Sequence, residues 1–337
     1  MDNYREKLKK ITETLLKDED DYGEIKKATD DLYDVFVAVS DLKEDDASCR
    51  EDVYLSKGKA IGTVWAAMCI KEFMRTKRFI KGVFLAIKEA QKKFKDTQIH
   101  ILYAGTGPFA TLILPLTTMF SSEEIKVTLL EINSESIKNL KTVISVLGAA
   151  SYIEEIVQCD ATTYKVNKDK NVHMIVTETM QRALKKEPQV SITLNLVPQM
   201  IEGGILVPQN VTVSAALIDP KRDLDRIMGI EGADEDFCYM LGKVFELTKD
   251  TTVVENKEGY KFPEIEIQIP MNIERRFRSL NLLTDIQVFG EEKLTYLQCS
   301  LNLPQKLMYI EWEIDNLEKF IFEYIVNETP GFMFRKI

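Results

Sequence analysis

Histidine is nearly absent from this 337-residue chain: His100 and His173 are the only two. Both sit inside apolar, strand-like runs, where an imidazole packs more readily than it reacts. A histidine-rich metal site or a Ser-His-Asp triad is therefore a poor reading, and no metal is expected. Paired cysteines are lacking too. The five cysteines, Cys49, Cys69, Cys159, Cys238 and Cys299, are scattered without a CxxC, which suits reduced thiols better than a disulfide framework. Nor is there an excess of positive charge. Lys and Arg number 44 against 54 Asp and Glu, a net charge of −10, which leaves no basic balance for nucleic-acid phosphates. The first ten residues are mostly charged and do not read as a secretory leader. From Ile99 to Ser122 no residue is charged, long enough on paper to cross a bilayer. That run holds Gly105-Thr106-Gly107-Pro108 and Pro115, so it reads as a buried strand, a turn and a helix. The expectation is a cytoplasmic protein that binds neither membrane nor nucleic acid and whose substrate is neutral or cationic.

With 45% apolar residues, the chain can build real cores, and its length suits two domains. Residues 1–95 read as an N-terminal helical region. Leu32, Tyr33, Phe36 and Val37 recur at helical spacing, as do Ile61, Val64, Trp65, Met68 and Phe73. Residues 96–207 then alternate. Strand-like runs at Ile99–Tyr103, Lys126–Glu131, Tyr152–Gln158 and Val172–Thr177 are separated by helical runs at Phe109–Met119 and Ser134–Leu147, and a third helix follows at Pro188–Met200. The pattern predicts an α/β domain, a parallel-rich sheet with helices on both faces. Such sheets hold ligands at their strand-end loops. Beyond Pro208, alternating segments separated by Glu258-Gly259, Phe289-Gly290 and Leu303-Pro304 predict an antiparallel β domain over 208–337. A helical insertion is expected at about 223–248.

Chemistry concentrates at the ends of four strands. Gly105-Thr106-Gly107 follows the first strand, and glycines there let a backbone approach a polar or anionic ligand. Glu131 ends the second strand, where a carboxylate can accept ribose hydroxyls. Asp160 follows the third, within reach of an adenine amine. These features also suit a dinucleotide site, although Ala110 takes the place of the third glycine of GxGxxG. The fourth strand runs into Val176-Thr177-Glu178-Thr179-Met180-Gln181, with a second acid nine residues on at Glu187. Two carboxylates on one loop suit a cationic partner, and a guanidinium matches them with its planar fork of donors.

The order Gly-Thr-Gly, Glu131, Cys159-Asp160, Glu178-x8-Glu187 and Gly203-Gly204-Ile205-Leu206-Val207-Pro208 resembles the class I S-adenosylmethionine-dependent methyltransferases, in particular the protein arginine methyltransferases. Upstream, Met74-Arg75-Thr76-x-x-Phe79 is similar to that family's Arg-Thr-x-x-Tyr segment. The resemblance implies a Rossmann-like methyltransferase domain with N-terminal helices and a C-terminal β-barrel-like domain used for substrate and dimer contacts. It implies S-adenosyl-L-methionine as cofactor, with Arg75 on the methionine carboxylate, Gly105 and Gly107 at the turn, Glu131 on the ribose and Asp160 near adenine. Glu178 and Glu187 would clamp the acceptor nitrogen, with Met180 beside it, and an arm at the insertion would form a homodimer.

Departures from the family pattern bear on the acceptor. Tyr103 stands where the family keeps a glycine. Thr179 replaces a tryptophan, Gln181-Arg182 replace a glycine-aromatic pair, and Gln305-Lys306-Leu307 follow Pro304 in place of Thr-His-Trp. The acceptor is thus expected to be a guanidino or amine nitrogen on a small molecule or a peptide. Two alternatives stay open: a small-molecule O- or N-methyltransferase with Glu178 as base, or a methyltransferase-like scaffold without turnover.

Overall fold

In the computed structural model, residues 2–230, 236–256, 259–315 and 317–337 are described. Two helices open the chain, α1 (Asp2–Leu15) and α2 (Tyr22–Ala38). Their apolar stripes meet in one core, where Leu8, Leu15, Leu32 and Phe36 have no exposed surface. A small hairpin, β1 (Val53–Leu55) and β2 (Gly58–Ala60), follows, then α3 (Thr63–Met68) and α4 (Phe73–Lys93). The hairpin is a correction to the helical expectation for 1–95: Gly58 adopts φ +129°, a conformation that breaks a helix.

The α/β domain comprises β3 (Ile99–Ala104), β4 (Ile125–Glu131), α5 (Ser134–Val146), β5 (Ile153–Gln158), β6 (Met174–Thr177), α6 (Gln189–Leu196) and β7 (Ile205–Val207). The strands form one parallel sheet in the order β5-β4-β3-β6-β7. Alternation along β3 sorts its two faces. Ile101 and Tyr103 join the core that holds α4 and α5, while Leu102 and Ala104 join the one that holds Ile192 and Leu196 of α6. This is a Rossmann-like layer with helices on both sides. The expected helix over Phe109–Met119 is not α-helical. Ala110 turns left-handed at φ +41°, Pro115 offers no N–H, and only the short 3-10 turn Leu114–Thr118 forms.

The C-terminal domain is antiparallel. Its elements are β8 (Asn210–Ile218), α7 (Pro220–Ile227), β9 (Cys238–Thr248), β10 (Val254–Asn256), β11 (Gly259–Lys261), β12 (Ile265–Gln268), β13 (Ser279–Phe289), β14 (Glu292–Leu294), β15 (Gln305–Tyr309), β16 (Lys319–Ile325) and β17 (Gly331–Lys336). One sheet runs β14-β13-β8-β9 with β15 beside β13, and the other runs β10-β11-β16-β12 with β17 beside β16. Phe245 of β9 stacks on Tyr324 of β16 at 4.8 Å between ring centroids, joining the two sheets. The expected helical insertion over 223–248 is corrected. The helix ends at Ile227, and Cys238–Thr248 is a strand paired with β8 along its length, with two register shifts. Gly242 at φ +154° does not fit a helix. Positions 231–235 of that insertion, and Glu258 of the expected turn, lie outside the described residues. Among the described residues no helix is long and apolar enough to cross a membrane.

An ionic cluster ties α4 to both neighbours. The Lys77 ammonium lies 2.8 Å from Asp20, and Arg78 and Lys81 each lie 2.9 Å from Glu292 of β14. These pairs are largely buried, so they fix the rotation of the helix that carries Arg75.

Candidate active site

The loops at the C-terminal ends of β3, β4, β5 and β6 open into one cleft, roofed by the segment from Leu55 to Ile70. Arg75, Gly105, Gly107, Glu131, Asp160, Glu178 and Glu187 all line it. Gly105 and Gly107 are left-handed, at φ +74° and +60°, and a Cβ on Gly105 would lie 2.1 Å from the Thr179 methyl. The turn is thus glycine by necessity at a close approach.

Glu131 is nearly buried, and its carboxylate organises the turn. Oε1 accepts the N–H groups of Ile132 and Asn133, both at 2.9 Å, and Oε2 accepts that of Gly107 at 2.7 Å. Thr106 is marginal at 3.5 Å, so one good acceptor place stays open on Oε2. Burial pushes this carboxyl above its usual range, and the three main-chain donors hold it back. Asp160 accepts the Thr162 N–H at 2.8 Å through Oδ1.

Glu178 ends β6 opposite α4. Arg75 grips its Oε2 with Nε at 3.1 Å and with a second guanidinium nitrogen, and reaches Glu72 at 2.9 Å. Glu72 in turn accepts the N–H and hydroxyl of Ser300, joining α4 to the β domain. Glu178 Oε1 is buried and has no hydrogen-bond partner, an acceptor held ready toward the cleft. Burial raises the Glu178 carboxyl, and attraction to Arg75 opposes it. Burial also works against the Arg75 charge, but the carboxylates of Glu178 and Glu72 outweigh it and keep the guanidinium protonated.

The loop from Gln181 to Glu187 turns through three left-handed non-glycine residues, Ala183, Leu184 and Lys186. Such backbone holds only where neighbours over-determine it. Thr284 Oγ1 accepts from the Ala183 N–H at 2.8 Å, the Tyr324 hydroxyl donates to the Leu184 carbonyl at 2.7 Å, and Pro330 accepts from the Lys186 N–H at 2.7 Å. At its base the Gln189 amide oxygen accepts from the Thr179 N–H and hydroxyl. The loop delivers Glu187, which is 7% exposed. Burial pushes its carboxyl up to about 7, against a hydrogen bond from Gln181 and attraction to Arg75 and Lys59.

Met180 departs from expectation: at 2% exposure it packs into the core and does not line the cleft. Tyr103, Lys59 and Cys69 line the cleft as well, and sequence reading gave only Tyr103 a place there. Lys59 pairs with Asp52 and had no signal, because nothing in its neighbourhood suggested a hairpin. The two histidines are packing groups. His100 shares a hydrogen bond with Thr128 at 2.9 Å, and His173 Nδ1 accepts the His100 N–H at 3.0 Å.

No protein-family model and no curated protein matches this chain. Among solved structures it is similar to a chain of the Trypanosoma brucei PRMT1 enzyme-prozyme heterotetrameric complex with AdoHcy. They are 14% identical, the match covers 79% of this chain and 90% of the other, and the TM-score is 0.51. Two further matches are PRMT6 (11% identity, 75% and 95% covered, TM-score 0.49) and Arabidopsis thaliana Protein Arginine Methyltransferase 10 (12%, 75% and 84%, 0.49). At such identity the trypanosomal match establishes a shared fold: a parallel sheet with flanking helices, N-terminal helices and an antiparallel C-terminal domain.

Proposed function

We propose that this protein is a cytoplasmic S-adenosyl-L-methionine-dependent N-methyltransferase of the arginine-methyltransferase type, acting on a guanidino or amine nitrogen of a small molecule or peptide. One observation carries the reading: the glycine turn, Glu131 and Asp160 line the same cleft as Glu178 and Glu187. The charge balance supports it. Four acids, Glu131, Asp160, Glu178 and Glu187, face two bases, Lys59 and Arg75, so the cleft favours cations over anions. The donor set fits the cofactor: left-handed glycines for a close backbone approach, an open acceptor place on Glu131 Oε2, and the Arg75 N–H donors that Glu178 and Glu72 do not engage for a carboxylate.

When bound, S-adenosyl-L-methionine supplies an electrophilic methyl group on a sulfonium. The chain's own work is alignment and charge complementarity. Glu178 Oε1 accepts an N–H of the acceptor and turns its lone pair toward the transfer line. Glu187 takes a second N–H, and a carboxyl titrating near 7 is suited to receive the proton the nitrogen must lose. The roof from Leu55 to Ile70 keeps bulk water from this pair. Trp65, Met68 and Cys69 of the roof are only half-buried or exposed from the outside, so the cover is thin.

A scaffold without turnover is the second reading, and Tyr103 favours it, because its ring lines the cleft at the place where the resembling family has glycine. Calorimetry with S-adenosyl-L-methionine, followed by transfer of a labelled methyl group to guanidino and amine acceptors, tests both. Binding with transfer is the expected result. Absence of binding by the folded protein refutes the enzyme reading. Leu224, Ile227, Met228 and Met240 are each more than half exposed, an apolar face on α7 and β9 that supports a homodimer.

A further inference from the structure

The hairpin β1–β2 belongs to neither the helices nor the sheet, yet it forms one wall of the cleft through Leu55, Lys59 and Ala60. It is docked on the loop that carries Glu187. The Lys59 N–H donates to the Lys186 carbonyl at 2.9 Å. Gly58, at φ +129°, lies so close that a Cβ would sit 3.0 Å from both the Lys186 oxygen and the Pro188 nitrogen. The hairpin therefore covers the acid loop by direct backbone contact.

The wall also carries charge. Asp52 holds Lys59 by an ion pair and accepts the Gly62 N–H at 3.0 Å, so a single carboxylate fixes both the lysine and the hairpin's exit. The Lys59 side chain is 21% exposed and lines the cleft beside Glu187. An ammonium has three donors, and Asp52 engages one of them. A cation next to Glu187, an acid meant to hold a cationic nitrogen, is unfavourable for a purely cationic acceptor. It becomes favourable when the acceptor brings its own anion.

Building on the methyltransferase reading, we infer that the hairpin selects a small zwitterionic acceptor, an amino or guanidino acid whose free carboxylate meets Lys59 while its cationic nitrogen meets Glu178 and Glu187. A peptide arginine has no carboxylate at that position and must pass the hairpin wall. The reaction balances without further groups: the nitrogen gains the methyl, the sulfonium becomes a neutral thioether, and one proton leaves the nitrogen.

The test is paired acceptors with labelled S-adenosyl-L-methionine and the full chain. Free arginine is set against agmatine, which lacks the carboxylate, and against arginine methyl ester. Free lysine is set against cadaverine, guanidinoacetate against methylguanidine, and an end-blocked Gly-Arg-Gly peptide completes the panel. The expected result is at least one acid methylated 10-fold or more faster in kcat/KM than its decarboxylated or esterified partner, with the peptide slower still. Lys59→Met should remove that preference while leaving cofactor affinity within 2-fold, and Lys59→Arg should restore most of it. Peptide, ester or diamine methylated as fast as the acids overturns the inference, as does a preference that survives Lys59→Met. Cofactor bound but none of the acids methylated overturns it too. No cofactor binding at all strikes instead at the methyltransferase reading on which it rests.

Discussion

Replacing Glu187 by glutamine should make the free protein more stable at pH 8 and leave it nearly unchanged at pH 4. The Glu187 carboxyl titrates near 7 in the folded chain, against an ordinary value of 4.5, because burial penalises its charge. Below pH 4.5 it is protonated in both states and contributes nothing. Between 4.5 and 7 the unfolded chain ionises while the folded chain keeps the proton, so stability falls as pH rises. Above 7 the loss is constant. At about 1.4 kcal/mol per pH unit the interval corresponds to roughly 3 kcal/mol. That figure already nets the attraction to Lys59 and Arg75 against burial, and glutamine replaces the carboxyl's hydrogen bond imperfectly, so the net gain at pH 8 should be about 1–3 kcal/mol.

Urea unfolding of parent and Glu187→Gln at pH 4 and pH 8 measures this directly. Every other titrating group is common to both proteins, so the difference of differences isolates position 187. An equal offset at the two pH values refutes the buried-acid reasoning, and a variant weaker at pH 8 refutes its sign. The same change should abolish most turnover, because the ionised carboxylate is the form that holds a cationic nitrogen. In the parent, kcat/KM should accordingly rise with pH through about 7. A gain in stability joined to a loss of turnover marks a functional group, since a structural acid would lose both.

Glu131→Ala should weaken S-adenosyl-L-methionine binding by about 1.5–3 kcal/mol in calorimetry, the range for a lost charged hydrogen-bond acceptor; unchanged affinity in a folded variant removes the ribose assignment. Arg75→Met leaves Glu178 buried beside no counter-charge and should destabilise by about 3–5 kcal/mol. Adding Glu178→Gln should recover most of that stability but not turnover, and a double variant as weak as the single one contradicts the pairing. For assembly, deleting the arm is uninformative because β9 lies within it. Leu224→Ser with Ile227→Ser and Met228→Ser should instead turn a sedimenting dimer into a monomer, and an intact parent that is already monomeric at micromolar concentration ends the dimer proposal.

What was legible in the sequence was what is local and periodic. Each of β3 to β6 is short and followed by a turn, β3, β4 and β6 are largely apolar, and the sequence pattern places each to within two residues. Glu131 and Glu178 were legible because they end strands, where side chains leave the sheet and meet a ligand. The errors share another cause. Cys238–Thr248 carries apolar residues at spacings that a helix also satisfies, and only its pairing with β8 decides the matter. Lys319–Ile325 and Gly331–Lys336 pair with each other over six registers, and no motif drew attention to them. Strand identity in an antiparallel domain is a property of the partner as much as of the segment.

The candidate site divides along the same line. Arg75 was suggested by a short resemblance, but its partner Glu178 lies 103 positions away, and nothing local announces that two-point grip. Met180 shows the reverse: adjacency to Glu178 suggested a substrate contact, whereas the strand's end places the side chain in the core. Lys59 was the least legible of all. It follows a glycine in the plain polar stretch Ser56-Lys57-Gly58-Lys59, and its importance arises only when Gly58 packs on the backbone of Lys186 and Pro188. A backbone contact across 128 positions leaves no pattern in one sequence. It is also the contact that puts a cation beside Glu187, and so the one on which the choice of acceptor depends.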